Sequence, residues 1–283
     1  MPSFETPESI SVTIELQVGN VHLIASDRVD TVVLVNPSDR FRAQDVEAAE
    51  RTQVDYSDGR LMIKVPKPRG LGTYIGLGRT GSVDMTIELP TDSGVHGEAA
   101  WADFRGNGEL GDVWIKTGAG DIRLDSTRQL HLASGAGSVT VNRAAGHSEL
   151  TTAGEMRIGE IDGAAEIKNL NGKTWLGEVT GALRVKSANG DITVDRAHAG
   201  VGAKTANGHI QIGEVVSGSV ELATASGELE IGIRDGTAAW VDAKTQFGRV
   251  HNDLGSAEGP DPSQERVEIR ARTSFGNIVI HRS

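Results

Sequence analysis

Three short stretches hold residue types whose spacing could bind a phosphate or activate water. Gly76-Leu77-Gly78-Arg79-Thr80-Gly81 matches G-x-G-x-x-G. That pattern cradles a phosphate only when a strand precedes it and a helix follows, because the free N–H groups of the helix start then face the anion. Here Ser82 to Leu89 follows and alternates as a strand does, so a dinucleotide site is not expected. Gly172-Lys173-Thr174 looks like the end of a P-loop, but the opening glycine of that motif would fall at Ile167. Asp92-Ser93-Gly94 has the order of an aspartic-protease triplet without a second copy. It reads as a tight turn.

Metal chemistry fares no better. The eight histidines, His22, His96, His131, His147, His198, His209, His251 and His281, form neither H-x-x-H nor H-x-x-x-H, and there is no cysteine. Cysteine-based zinc sites, thiol catalysis and disulfides are therefore excluded. Calcium-binding glycine–aspartate repeats have a period of about nine residues. Here the period is twice that, and the residue after each turn glycine runs Asp121, Ser138, Glu155, Lys173, Asp191, His209, Glu228, Arg249, Asn277. Such a mixed-sign column is a solvated charge ladder. No metal and no cofactor is expected. A sugar-cleaving β-helix needs paired carboxylates beside an aromatic groove, whereas parity turns Trp114 and Trp175 outward on opposite sheets. No catalytic residue is assigned.

The elements that must position any site repeat themselves. A turn glycine recurs at Gly120, Gly137, Gly154, Gly172, Gly190, Gly208, Gly227, Gly248 and Gly276, in steps of 17 to 21 residues until the last, which is 28 and contains Pro260 and Pro262. Two and four positions beyond each glycine stand apolar residues, such as Ile192 and Val194, with Thr174 and Asn252 the exceptions. Alternating pairs such as Leu183 and Val185 precede the glycine, and a Ser, Thr or Asn (Thr117, Ser134, Thr152, Asn169, Ser187, Thr205, Thr224, Thr245, Thr273) sits at the bend. Period-two alternation on both sides of a turn makes each repeat two strands with one apolar face. One repeat buries too little to stand alone, so repeats must stack at a spacing of about 4.8 Å. The expected fold is an all-β solenoid of two-strand coils of about 18 residues over 99–283. The bend residues are expected to bond turn backbone.

Residues 1–98 differ. Alternating runs at 10–18, 21–25, 32–35, 61–65 and 83–89 read as antiparallel strands, and 43–53 as the one short helix. This segment is expected to cap the solenoid against edge pairing. The net charge of −11 argues against nucleic acid and anionic membrane as partners. No basic leader with an apolar run is present, and the longest apolar runs are four residues, which points to a cytoplasmic protein with no membrane insertion. If any segment is a dedicated contact site it is 64–81, KVPKPRGLGTYIGLGRTG; a flexible hairpin loop and a segment folded back over the first coil are the other readings. Lys67, Arg69 and Arg79 would steer an acidic partner, with Leu71, Tyr74 and Ile75 as an apolar anchor.

The runs TGAGDIRL (117–124), IGEIDGAAEIKNLNG (158–172) and SANGDITVDRAHAGVGAKTANGHIQIGEV (187–215), with FGRVHNDL (247–254) and ARTSFGNIVIHRS (271–283), resemble the DUF4097 family, also labelled "putative adhesin". The resemblance extends over nearly the whole chain, including SVTIELQVGNVHLIASDR (11–28). It implies a β-solenoid-like fold and carries no established activity. The functional expectation is a non-catalytic scaffold that binds a protein partner. An adhesin-like or carbohydrate-binding module is the alternative, with a glycan as ligand, and a glycan-active enzyme stands behind both. The sequence leaves the oligomeric state open.

Overall fold

The structure, a computed structural model, describes residues 2–66, 80–255 and 265–283. They form two compact units, Met1–Val141 and Asn142–Ser283. The described residues are all-β apart from one short helix.

The first unit holds β1 (Ser3–Glu5), β2 (Ser11–Ser26), β3 (Asp30–Pro37), α1 (Ala43–Glu50), β4 (Gln53–Ser57), β5 (Arg60–Lys64), β6 (Ser82–Pro90), β7 (Gly94–Leu110), β8 (Val113–Ala119), β9 (Ile122–Thr127) and β10 (Leu130–Ser134); β11 (Val139–Ala144) carries the chain onward. β2 and β7 are long because each passes through both walls of a coil. In β2 the buried positions are even up to Leu16 and odd from Gly19, so the strand turns a corner between them. β7 runs parallel to β2 along its length, then to β8 with its first half and β9 with its second.

Antiparallel pairing, expected throughout 1–98, holds for β1–β3, β3–β6 and β4–β5. β2, however, pairs parallel with β5 and β6 as well as with β7. The solenoid register therefore begins at Ser11. A layer made from two separate strands takes the place of a coil before it, and only beyond that layer does the direction reverse. The reversal at β4–β5 uses Asp58-Gly59, with φ 50 and 72, the conformation of a type I′ hairpin. Helix α1 closes against the start of β6, where the Ser82 N–H donates to buried Asp45 at 3.0 Å.

The second unit is more regular. Its strands are β12 (Ser148–Thr152), β13 (Met156–Ile161), β14 (Ala165–Asn169), β15 (Thr174–Val179), β16 (Leu183–Ser187), β17 (Ile192–Ala197), β18 (Val201–Asn207), β19 (Ile210–Val215), β20 (Gly218–Ser226), β21 (Leu229–Ile233), β22 (Ala238–Phe247), β23 (Val250–Asn252), β24 (Arg266–Phe275) and β25 (Ile278–Arg282). Even-numbered strands stack in parallel on one wall and odd-numbered strands on the other. Register aligns the apolar columns: Ile167, Val185, Ala203, Leu222 and Ala271 on one wall, Leu176, Val194, Ile212, Ile231 and Ile280 on the other, with one register shift in the β19–β21 pair beyond Ile212. All ten are fully buried.

Most of the bend residues bond turn backbone as expected, Ser187 being the exception, its buried hydroxyl without a partner among the described residues. Thr224 Oγ1 donates to Gly208 O at 3.1 Å and Thr273 Oγ1 to Gly227 O at 3.0 Å, each reaching the turn of another coil. Asn169 donates to Gly154 O and Gly172 O and accepts from the Gly172 N–H.

The last two coils are exchanged relative to their order in the sequence. β24 and β25 lie directly on β20 and β21, and β22 and β23 lie outside them. The chain forms the outermost coil first and returns to fill the gap. The 28-residue step between Gly248 and Gly276 supplies the length for that return. Composition explains the exchange: the inner coil contributes Val267, Ile269, Ala271, Ile278 and Ile280, all buried, whereas the outer coil carries exposed Asn252 in the column that is apolar elsewhere.

Candidate functional site

Lys67, Arg69, Leu71, Tyr74, Ile75 and Arg79 lie outside the described residues. Of their neighbours, Lys64 pairs with Glu15 at 2.6 Å, and buried Val65 donates its N–H to Glu15 O. Asp92-Ser93-Gly94 forms the turn its composition suggests: Asp92 has φ 58, and buried Ser93 accepts the Ile10 N–H at 3.1 Å.

Trp114 and Trp175 are engaged within their own units, whereas Trp101 and Trp240 are exposed. On β7, β8 and β10, His96, Trp114 and His131 stack in register, with centroids 4.1 and 5.8 Å apart and planes nearly parallel. The two histidine rings lie over the two faces of Trp114, so the stack ties three coils together. Trp175 lies under the Arg157 guanidinium at 4.0 Å and donates to Asp195. The turn column is a ladder as well. Asp121 accepts the Ser138 N–H, Asp191 accepts the His209 N–H, and His209 Nδ1 accepts the Glu228 N–H. Among the described residues no three His, Asp or Glu side chains converge as metal ligands.

The wall formed by β14, β16, β18 and β20 carries a surface that spacing alone could have revealed. Lys168, Lys186 and Lys204 recur at 18 residues, the coil period, and pair directly across adjacent strands. Each follows a fully buried residue of its own strand and is itself exposed, so all three point outward. The row passes through Ala223 and continues as Arg272 and Lys244. Sequence reasoning followed the apolar columns and left the polar columns of this wall unread.

Beside the row runs a shallow groove of about 670 Å³. Ala164, Ala182, Gly200 and Ser219 line its floor, and Glu166, Arg184, Lys186, Lys204 and Glu221 line its walls. It exists because Gly202 stands in the outward column between Arg184 and Glu221 and contributes no side chain. Lys168 pairs with Glu166 at 3.2 Å and Lys204 with Glu221 at 2.5 Å. Both carboxylates are held below the usual range, first by those hydrogen bonds and further by the charges of nearby cations, Arg184 acting on both. Arg184 and Lys186 make no ion pair among the described residues. Both stand beside the small-residue floor and act by charge on Glu166, Arg184 on Glu221 as well.

Several crystal structures match the chain at low similarity. One is of a "putative adhesin" from Bacteroides fragilis, 10% identical, with 99% of this chain and 95% of that chain covered and a TM-score of 0.32. Another is of a "putative lipid binding protein" from Parabacteroides distasonis, 15% identical, with the same coverage and TM-score. A third is of a "putative cell adhesion protein" from Clostridium sporogenes, 12% identical, covering 100% and 98%, with a TM-score of 0.23. Among curated proteins none matches the chain. The family assignment rests on the sequence: the Toastrack DUF4097 family model matches residues 9–281. From the start of β2 to the end of the last coil, the chain belongs to the Toastrack DUF4097 family.

Proposed function

We propose that this protein is a non-catalytic β-solenoid scaffold that docks an acidic segment of a protein partner along the wall of β14, β16, β18 and β20. The observation that carries this reading is the Lys168–Lys186–Lys204 row beside the Arg184 groove on a chain whose net charge is −11. Strand spacing of about 4.8 Å gives a rigid row of cations. An extended acidic chain laid across the coils would meet successive lysines without reorganising the scaffold. Rigid presentation lowers the entropic cost of association. Attraction of this kind is screened over about 10 Å at 0.1 M salt.

Fluorescence anisotropy with labelled poly-L-glutamate tests the reading. Wild-type protein should bind with an affinity that falls as salt rises. The triple variant Lys168→Glu, Lys186→Glu, Lys204→Glu should bind at least about tenfold more weakly, since each exposed charge contributes a few tenths to one kcal/mol. No binding by wild type, or equal binding by the variant, overturns the proposal. Binding of a neutral dextran by both proteins would replace it with the glycan-binding alternative.

A further inference from the structure

The outermost coil of the second unit ends, among the described residues, in an open strand edge. Among the described residues β22 has one strand neighbour, β24. Its inward residues Val241, Ala243 and Thr245 are only half-buried, whereas their counterparts Ile269 and Ala271 on β24 are fully buried. Trp240, Phe247 and Val250 are exposed, and Phe247 stacks on exposed Phe275 with centroids 5.0 Å apart. Next to Trp240 an open cleft of about 760 Å³ is lined also by Leu254, Arg266, Arg270 and Arg282. β22 is ten residues long and has neither a proline nor a bulge. Such an edge is a template for another strand.

We propose that the occupant of this edge is a second copy of the chain, paired antiparallel β22 to β22 about a two-fold axis at Ala243. A two-fold axis normal to the sheet makes identical edge strands antiparallel and keeps their outward faces on the same side. Among the nearby axes, this one alone sets the two charged residues of β22, AAWVDAKTQF, against each other, Asp242 being paired also with Arg272 on β24. Asp242 falls opposite Lys244 of the partner subunit, and by symmetry the pair occurs twice. Inward, Val241 faces Thr245 of the partner subunit and Ala243 faces its own copy. Shifting the axis to Asp242 or Lys244 would instead set like charges directly opposite, which is destabilising. Charge complementarity thus selects both the occupant and the register, and the added strands cover the half-buried inward column.

Two measurements on the full chain decide the matter. Sedimentation velocity over a concentration series should show a monomer–dimer equilibrium. Lys244→Glu, an exposed position that leaves the fold intact by thermal melt, should weaken it about tenfold or more, because two attractive pairs become repulsive. Ala243→Cys then tests the register. Directly opposed residues in an antiparallel pair have Cα atoms about 4.5–5.5 Å apart, within disulfide reach. The chain has no cysteine of its own, so oxidation should give a single cross-linked dimer. Val241→Cys, whose symmetry mate lies roughly 13 Å along the strand, should not cross-link. Wild type that stays monomeric at every concentration overturns the proposal. Cross-linking of Val241→Cys in preference to Ala243→Cys overturns the register.

Discussion

At the scale of single residues, the turns decide what the chain tolerates. Gly208 has φ 148, and a Cβ added there would lie 2.3 Å from the carbonyl oxygen of Gly190. Gly59 has φ 72 in the β4–β5 hairpin, with nothing within 4 Å of an added Cβ. Gly59→Ala should therefore cost about 1 kcal/mol of conformational strain. Gly208→Ala should cost about 3 kcal/mol or more, since the coil spacing must open to admit the methyl group. Urea denaturation of the two variants compares them. The carboxylates give a second expectation. Asp121 is held below the usual range mainly by the Ser138 N–H, and Asp30 and Asp242 by Arg28 and Arg272. A carboxyl with a lower pKa folded than unfolded binds fewer protons in the native state, so stability is present above the unfolded value and is lost as pH falls. Melting temperature should be nearly level from pH 7 to 5 and decline below about pH 4. Asp121→Asn should cost about 1 kcal/mol at pH 7, given a side chain about one-third exposed, and less at pH 3.

At the scale of strands, inward and outward positions of one strand should respond very differently to truncation. Ile212 on β19 is fully buried between Val194 and Ile231, and its neighbour Gln211 is exposed. Ile212→Ala should lose about 2–4 kcal/mol and Gln211→Ala no more than about 0.5 kcal/mol, as read by urea unfolding. The parity behind this expectation is plain in the sequence, because burial of one face demands alternation and the turn glycines recur once per coil. What parity does not contain is which strand lies next to which. Alternation within β2 is the same whether its partners run parallel or antiparallel, so the parallel pairing with β5 and β6 appears only in three dimensions. The same holds for β24 and β22, whose patterns both suit an inner coil until Asn252 is weighed. The outward lysines were legible in principle, for their 18-residue spacing equals the coil period. An outward column nevertheless has no apolar signal to draw the eye.

At the scale of the molecule, the exchange of the last two coils makes the order of synthesis differ from the order of assembly. On β20 and β21 the neighbouring position belongs to β24 and β25, which are made after β22 and β23. While the chain is still being translated, β22 and β23 are already present and that position is empty. Their alternation suits it, so an early chain has a near-native competitor: the outer coil seated one step too far in. Rearrangement must then break a whole coil of parallel pairing before the final segment can enter. Pairing between strands distant in sequence is slow to begin with. A chain ending at Gly255 should hold β22 against β20, whereas the full chain holds it against β24. Amide exchange of β22 in the two proteins would report this, and rapid refolding of the full chain in a single phase would contradict the trap. A sequence of near-identical coils gains its stability from repetition, and repetition is also why the end of the chain has two places to go.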